Sequence, residues 1–172
     1  LAAVCAILWL FPGTGMAASV TVSSEAELRA ALTGPADEIL IAGNISIASA
    51  TANPLLVSRN LTISGSGGSR PVVEGCWVID SAAQVTMEDL DLRCVTGGGS
   101  TPATVQLEGN NTKLTMNNCA VTHSEPRAAA IVDAILLGTT TTDNRSNITL
   151  ILNGCTVNAT KVNGRGGDGA QP

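Results

Sequence analysis

Leu61-Thr62-Ile63-Ser64-Gly65, Val85-Thr86-Met87-Glu88-Asp89 and Leu114-Thr115-Met116-Asn117-Asn118 share one pattern: apolar, threonine, apolar, then two residues suited to a corner. Ile148-Thr149-Leu150 reads as a fourth copy that reaches Asn153-Gly154 after a two-residue insertion, and Ile45-Ser46-Ile47 as a shorter-spaced early one. Alternation with period two marks a strand with one buried face, and Gly, Asn and Asp pairs end it because they accept tight turns. A second short strand follows the corner in Leu90-Asp91-Leu92, Cys119-Ala120-Val121 and Cys155-Thr156-Val157. Val105-Gln106-Leu107 and Ile135-Leu136-Leu137 supply a third set. The Thr triplets recur after 24, 29 and 34 residues, so insertions belong in loops.

Short strands joined by polar corners cannot each bury an apolar face alone, and stacking them at about 4.8 Å solves this. The sequence therefore predicts an all-β fold of parallel strands, with apolar residues sharing a core and the Thr residues forming an outward column. One helix precedes it. Ser24-Glu25-Ala26-Glu27 is a capping box in which the Ser hydroxyl bonds the Glu27 amide and Glu27 reaches back to the Ser24 amide. Leu28, Ala31 and Leu32 then form an apolar stripe that stops at Gly34-Pro35.

From about residue 20 to 160 these coils resemble the right-handed parallel β-helix of the pectin-lyase-like superfamily, closest in character to non-catalytic adhesins, polymorphic surface proteins of bacteria and wall proteins of algae. The resemblance implies a solenoid whose first coil is plugged by the short N-terminal helix. It also raises the superfamily's chemistry, lyases with an Arg or Lys base and hydrolases with paired carboxylates. Cys76-Trp77-Val78-Ile79-Asp80 is similar to the Trp-Ile-Asp-His stretch of some pectate lyases, with Ser81 in place of the His.

Composition narrows the function. Nine Lys and Arg against 14 Asp and Glu give a net charge of -5 without a basic cluster, which argues against nucleic acid. Two Trp, one Phe and no Tyr leave no stacking platform. Five Cys and one His lack zinc spacing, and no cofactor is implied. Leu1 to Phe11 is an uncharged apolar run of signal-peptide length, too short to span a bilayer, with Pro12-Gly13 and small residues following. This predicts a signal peptide over 1–18 lacking its basic start, a β-helix domain over 19–160 and a Gly-rich tail over 161–172, in a secreted or cell-surface protein. Six Asn-x-Ser/Thr sites, Asn44, Asn60, Asn110, Asn144, Asn147 and Asn158, are glycosylation candidates.

Glu88, Asp89 and Asp91 form the densest acidic group, with Arg93 beside them, but Asn117, Asn118 and Ala120 take the matching places on the next coil. A second carboxylate cluster for hydrolysis is thus lacking, and the sequence favours a non-catalytic scaffold over a polysaccharide lyase or glycoside hydrolase, the alternative. Asp89, Asp91, Arg93 and Lys113 are the candidates for contact with extracellular polysaccharide; a surface protein is the other partner class. His123 reads as a surface residue near Glu125, and Gly97-Gly98-Gly99 and Gly164-Arg165-Gly166-Gly167-Asp168-Gly169 as flexible segments. An oxidising compartment makes Cys76 and Cys94, flanking one coil's worth of chain, the expected disulfide. Cys119 and Cys155 are expected to stack in the core as free thiols.

Overall fold

The computed structural model describes residues 18–50, 52–68, 70–80, 82–95, 103–125, 133–138 and 147–161. Residues 1–17, where a signal peptide is expected, Gly97-Gly98-Gly99, Asn144 and the Gly-rich stretch beyond Lys161 lie outside them.

Among the described residues fifteen strands and one helix follow in order: β1 Ser19–Val22, α1 Glu25–Thr33, β2 Glu38–Ile41, β3 Ile45–Ser46, β4 Leu55–Val57, β5 Leu61–Gly65, β6 Val72–Glu74, β7 Trp77–Ile79, β8 Gln84–Glu88, β9 Asp91–Val95, β10 Ala103–Leu107, β11 Lys113–Asn117, β12 Ala120–Glu125, β13 Asp133–Leu137, β14 Thr149–Asn153 and β15 Thr156–Lys161. They form three sheets, ordered β1-β2-β5-β8-β11-β14, β3-β6-β9-β12-β15 and β4-β7-β10-β13. Every pairing is parallel. From β2 onward the chain visits the first, second and third sheets in rotation, and one such passage is called a circuit below.

Strand alternation explains where the core sits. Leu61, Val85 and Leu114 are in register and buried, as are Ile63, Met87 and Met116. Leu92 with Val121 in the second sheet, and Ile79 with Leu107 in the third, are buried likewise. Each such side chain contributes about 1.5–3 kcal/mol on leaving water, shared between circuits rather than within one. Thr62, Thr86 and Thr115 stand in direct register on the opposite parity, half-buried. Three corners between the first and second sheets turn on left-handed residues, Asp89 (φ 52°), Asn118 (φ 53°) and Gly154 (φ 62°). Asn and Asp tolerate that region better than other residues with a Cβ, and Gly occupies it freely.

Two register expectations need correction. Leu114 pairs with Leu150 and Thr115 with Ile151, so the fourth triplet is Leu150-Ile151-Leu152 and runs straight into Asn153-Gly154 without an insertion. The corner sets the register, because its left-handed residue must follow the strand directly. Ile45-Ser46 lies in the second sheet beside β6, and the position equivalent to Thr62 in the preceding circuit is held by Glu38.

Helix α1 starts at Ser24, whose hydroxyl accepts from the Glu27 amide at 3.4 Å. Glu27 reaches one residue further back than expected, accepting from the Ser23 amide at 2.8 Å and the Ser23 hydroxyl at 3.1 Å. These bonds hold its carboxyl below the usual carboxylate range. Leu28, Ala31 and Leu32 are buried in the same core as Val22 and Ile39. Arg29 pairs with Glu25 at 2.9 Å and donates to the Asn53 carbonyl at 2.7 Å. Arg59 donates to the Leu32 and Ala31 carbonyls, each at 3.1 Å, satisfying acceptors that a helix end leaves orphaned.

Candidate functional site

The outer face of the second sheet carries a ladder of polar residues. Ser46 pairs with Glu74, Glu74 with Arg93, Arg93 with Thr122 and Thr122 with Asn158. Parallel register holds the steps about 4.8 Å apart. At the ladder's first end a cavity of about 330 Å³ opens between Ser46, Ser49, Glu74, Arg93 and Val95. Arg93 is the hinge of its chemistry. Its Nε donates to Asp91 Oδ1 at 3.0 Å and its Nη2 to Asp91 Oδ2 at 2.5 Å. The two residues lie two apart on β9, so both project outward between inward Leu90, Leu92 and Cys94. Hydrogen bonding to Asp91, its charge and then that of Glu74 push the guanidinium further above its ordinary value. Two carboxylates around one guanidinium, with two serine hydroxyls, offer acceptors and donors at close spacing, a set suited to a ligand rich in hydroxyl groups.

The four expected contact residues do not converge. Asp91 and Arg93 are joined on this face, whereas Asp89 sits in the corner and accepts from Asn118 Nδ2 at 2.5 Å. Lys113 opens β11 at the far end of the first sheet's strands, in register with Gln84 rather than with Glu88. Glu88 accepts from Asn117 Nδ2 at 2.8 Å, and Asn153 Nδ2 continues that rail to Asn117 Oδ1 at 2.8 Å. The three carboxylates are thus each engaged by a different partner, Asn117, Asn118 and Arg93. Glu74 was missed in the sequence, because Val72-Val73-Glu74 is too short to show alternation.

Cys76 and Cys94 are disulfide-bonded across 18 positions, with Cα atoms 5.5 Å apart. Cys119 is buried and free, and Cys155, half-buried and free, follows the same corner one circuit later. Each thiol donates toward a methionine carbonyl of the preceding circuit, Cys119 to Met87 at 3.5 Å and Cys155 to Met116 at 3.3 Å. Burial pushes the Cys119 thiol up to about 11.

His123 is not at the surface. It is 1% exposed, aligned with Cys94, and its Nδ1 lies 3.1 Å from Thr104 Oγ1. The Thr104 hydroxyl donates to the Thr122 carbonyl at 2.8 Å, which leaves its lone pair for an Nδ1–H donor and selects that tautomer. Alternation along β12 puts Val121 and His123 inside and Thr122 outside.

Among the glycosylation candidates, Asn44, Asn60, Asn110, Asn147 and Asn158 are exposed. Asn44 and Asn60 use Oδ1 to accept the Val72 and Gln84 amides, both at 2.8 Å, extending the ladders by one bond while the site for modification is Nδ2. Among the described residues no three His, Cys, Asp or Glu side chains are grouped to hold a metal ion, and no helix is long and apolar enough to cross a membrane. Comparison with family models, with curated proteins and with solved structures finds no match to this chain.

Proposed function

We propose that this chain is a secreted or cell-surface scaffold built as a right-handed parallel β-helix of the pectin-lyase-like type, which binds extracellular polysaccharide along its side without cleaving it. Rotation of the chain through three all-parallel sheets and the helix over the first circuit support the architecture. The observation that carries the function is the outward ladder from Ser46 through Glu74 and Arg93 to Thr122 and Asn158, with a cavity at one end. A periodic row of hydrogen-bonding groups matches a periodic, hydroxyl-rich polymer better than it matches a compact small molecule.

The non-catalytic part of the reading rests on how the carboxylates are occupied. An acid and base pair must flank one bond, and Glu88, Asp89 and Asp91 are each engaged, by Asn117, Asn118 and Arg93. Affinity electrophoresis of the purified chain through gels containing pectate, alginate or a neutral wall glucan tests the proposal. Retardation by at least one polymer, reduced several-fold in Arg93→Ala, is expected, with no unsaturated uronate and no new reducing ends. Unretarded migration in every gel would refute the binding role, and turnover lost in Arg93→Ala would install the enzyme in its place.

A further inference from the structure

The ladder on the second sheet is uneven in charge. Of Ser46, Glu74, Arg93, Thr122 and Asn158, one is an anion, one is a cation and the others are uncharged. A guanidinium has five N–H groups. Asp91 takes two of those on Arg93, which leaves three for a ligand. Glu74, exposed and in register beside Arg93, acts on the guanidinium through its charge. Both residues line the cavity with Ser46 and Ser49, and Val95, 68% exposed, adds an apolar patch to the same lining. Two carboxylates, Glu74 and Asp91, therefore surround one cation, and the site is net negative.

Given the binding role proposed above, we propose that this site selects a neutral, hydroxyl-rich polysaccharide and excludes polymers of uronic acid. A sugar hydroxyl both donates and accepts, so adjacent hydroxyls on one ring take a hydrogen bond from Arg93 and give one to Glu74, while the C–H face of the ring lies on Val95. A uronate carboxylate can only accept. It meets a guanidinium already paired with Asp91, and Glu74, one strand spacing of about 4.8 Å away, opposes it. The mismatch grows with length, because a polyuronate carries a carboxylate on every sugar and this row of five residues holds no second cation. Selection thus comes from what the site repels as well as from what it bonds.

Affinity electrophoresis in gels of two neutral polymers, xyloglucan and galactomannan, and two acidic ones, pectate and alginate, tests the selection. Retardation by at least one neutral polymer and by neither acidic one is expected. The net charge of -5 disfavours polyanions by itself, so the deciding variant is Glu74→Gln, which alters that charge by a single unit. With unchanged circular dichroism, this variant should lose neutral-polymer retention several-fold and gain measurable retention on pectate. If it fails to fold, Glu74→Thr, the residue type that the row already holds at Thr122, serves in its place. Retention of the parent chain by pectate or alginate overturns the selection and, where Arg93→Ala abolishes it, leaves the binding role standing. Neutral retention unchanged in the Glu74 variant also overturns it, since the polymer would then lie elsewhere. A Glu74 variant still excluded by pectate does the same, since the exclusion would belong to the net charge. No retention in any gel removes the binding role and this selection together.

Discussion

Two cross-ties occupy the same place in successive circuits and are made of different chemistry. Trp77 pairs with Val105, so Cys76 and Thr104, the residues just before them, stack; Cys94 pairs with His123. One layer therefore joins the second sheet to the third by the Cys76–Cys94 disulfide, and the next joins them by the Thr104–His123 contact at 3.1 Å. The comparison teaches that the position asks for a tie rather than for a particular residue. Apolar contacts are non-directional, whereas a specific bond at each level adds a directional tie across the corner between these sheets. That corner also holds long connections, 96–102 between β9 and β10 and 126–132 between β12 and β13.

Removing the covalent tie should have the largest effect. Cys76→Ala with Cys94→Ala frees an 18-position loop in the unfolded chain and is expected to cost about 3 kcal/mol, read as a lower denaturant midpoint. A midpoint unchanged by reductant in the parent chain would show that the tie holds nothing that packing does not. Next comes His123→Ala, which opens a void at a 1% exposed site and leaves Thr104 without its donor, at about 2–3 kcal/mol. The equivalence of the layers is sharpened by Thr104→Cys with His123→Cys. This pair should oxidise spontaneously, and a persistently reduced pair would break the analogy.

The outlines of this comparison were legible in the sequence only in part. Thr62, Thr86 and Thr115 announced their sheet because each sits between two apolar residues and before a corner. The last circuit was harder, since Ile148-Thr149-Leu150-Ile151-Leu152 alternates acceptably in either of two registers. Only the need for Gly154 to turn left-handed directly after the strand chooses between them. His123 was legible in principle from the alternation of β12, but its nearness to Glu125 and a loop drew the reading outward. Arg59 and Glu74 left no signal, because a lone charged residue near a turn shows nothing of the carbonyls or the cavity it meets.

Cys119 offers a further contrast, buried but without a disulfide. Cys119 would lose its proton near 9.0 in the unfolded chain and holds it to about 11 in the fold, because burial penalises the thiolate. Its contribution is therefore fully present below pH 9 and is lost as pH rises from about 9 to 11, by up to about 3 kcal/mol. Stability measured against pH should fall less steeply in that window for Cys119→Ala. Equal slopes would assign the alkaline loss to other groups.

The smallest effect is expected one residue from the disulfide. Arg93 precedes Cys94 on β9 but faces outward, and its side chain is 48% exposed in its pair with Asp91. Water already solvates such a pair, so the Coulomb gain is screened and the ordering of a long side chain offsets much of what remains. Arg93→Ala should therefore change stability by no more than about 0.5 kcal/mol, against several times that for its inward neighbour. The same variant is the one expected to lose polysaccharide retention, so a shift this small keeps that loss interpretable as a lost contact. A destabilisation matching that of the cysteine pair would mean that the outward ladder serves the fold. Thr122→Ala, one circuit further along the same ladder, then becomes the cleaner probe of binding.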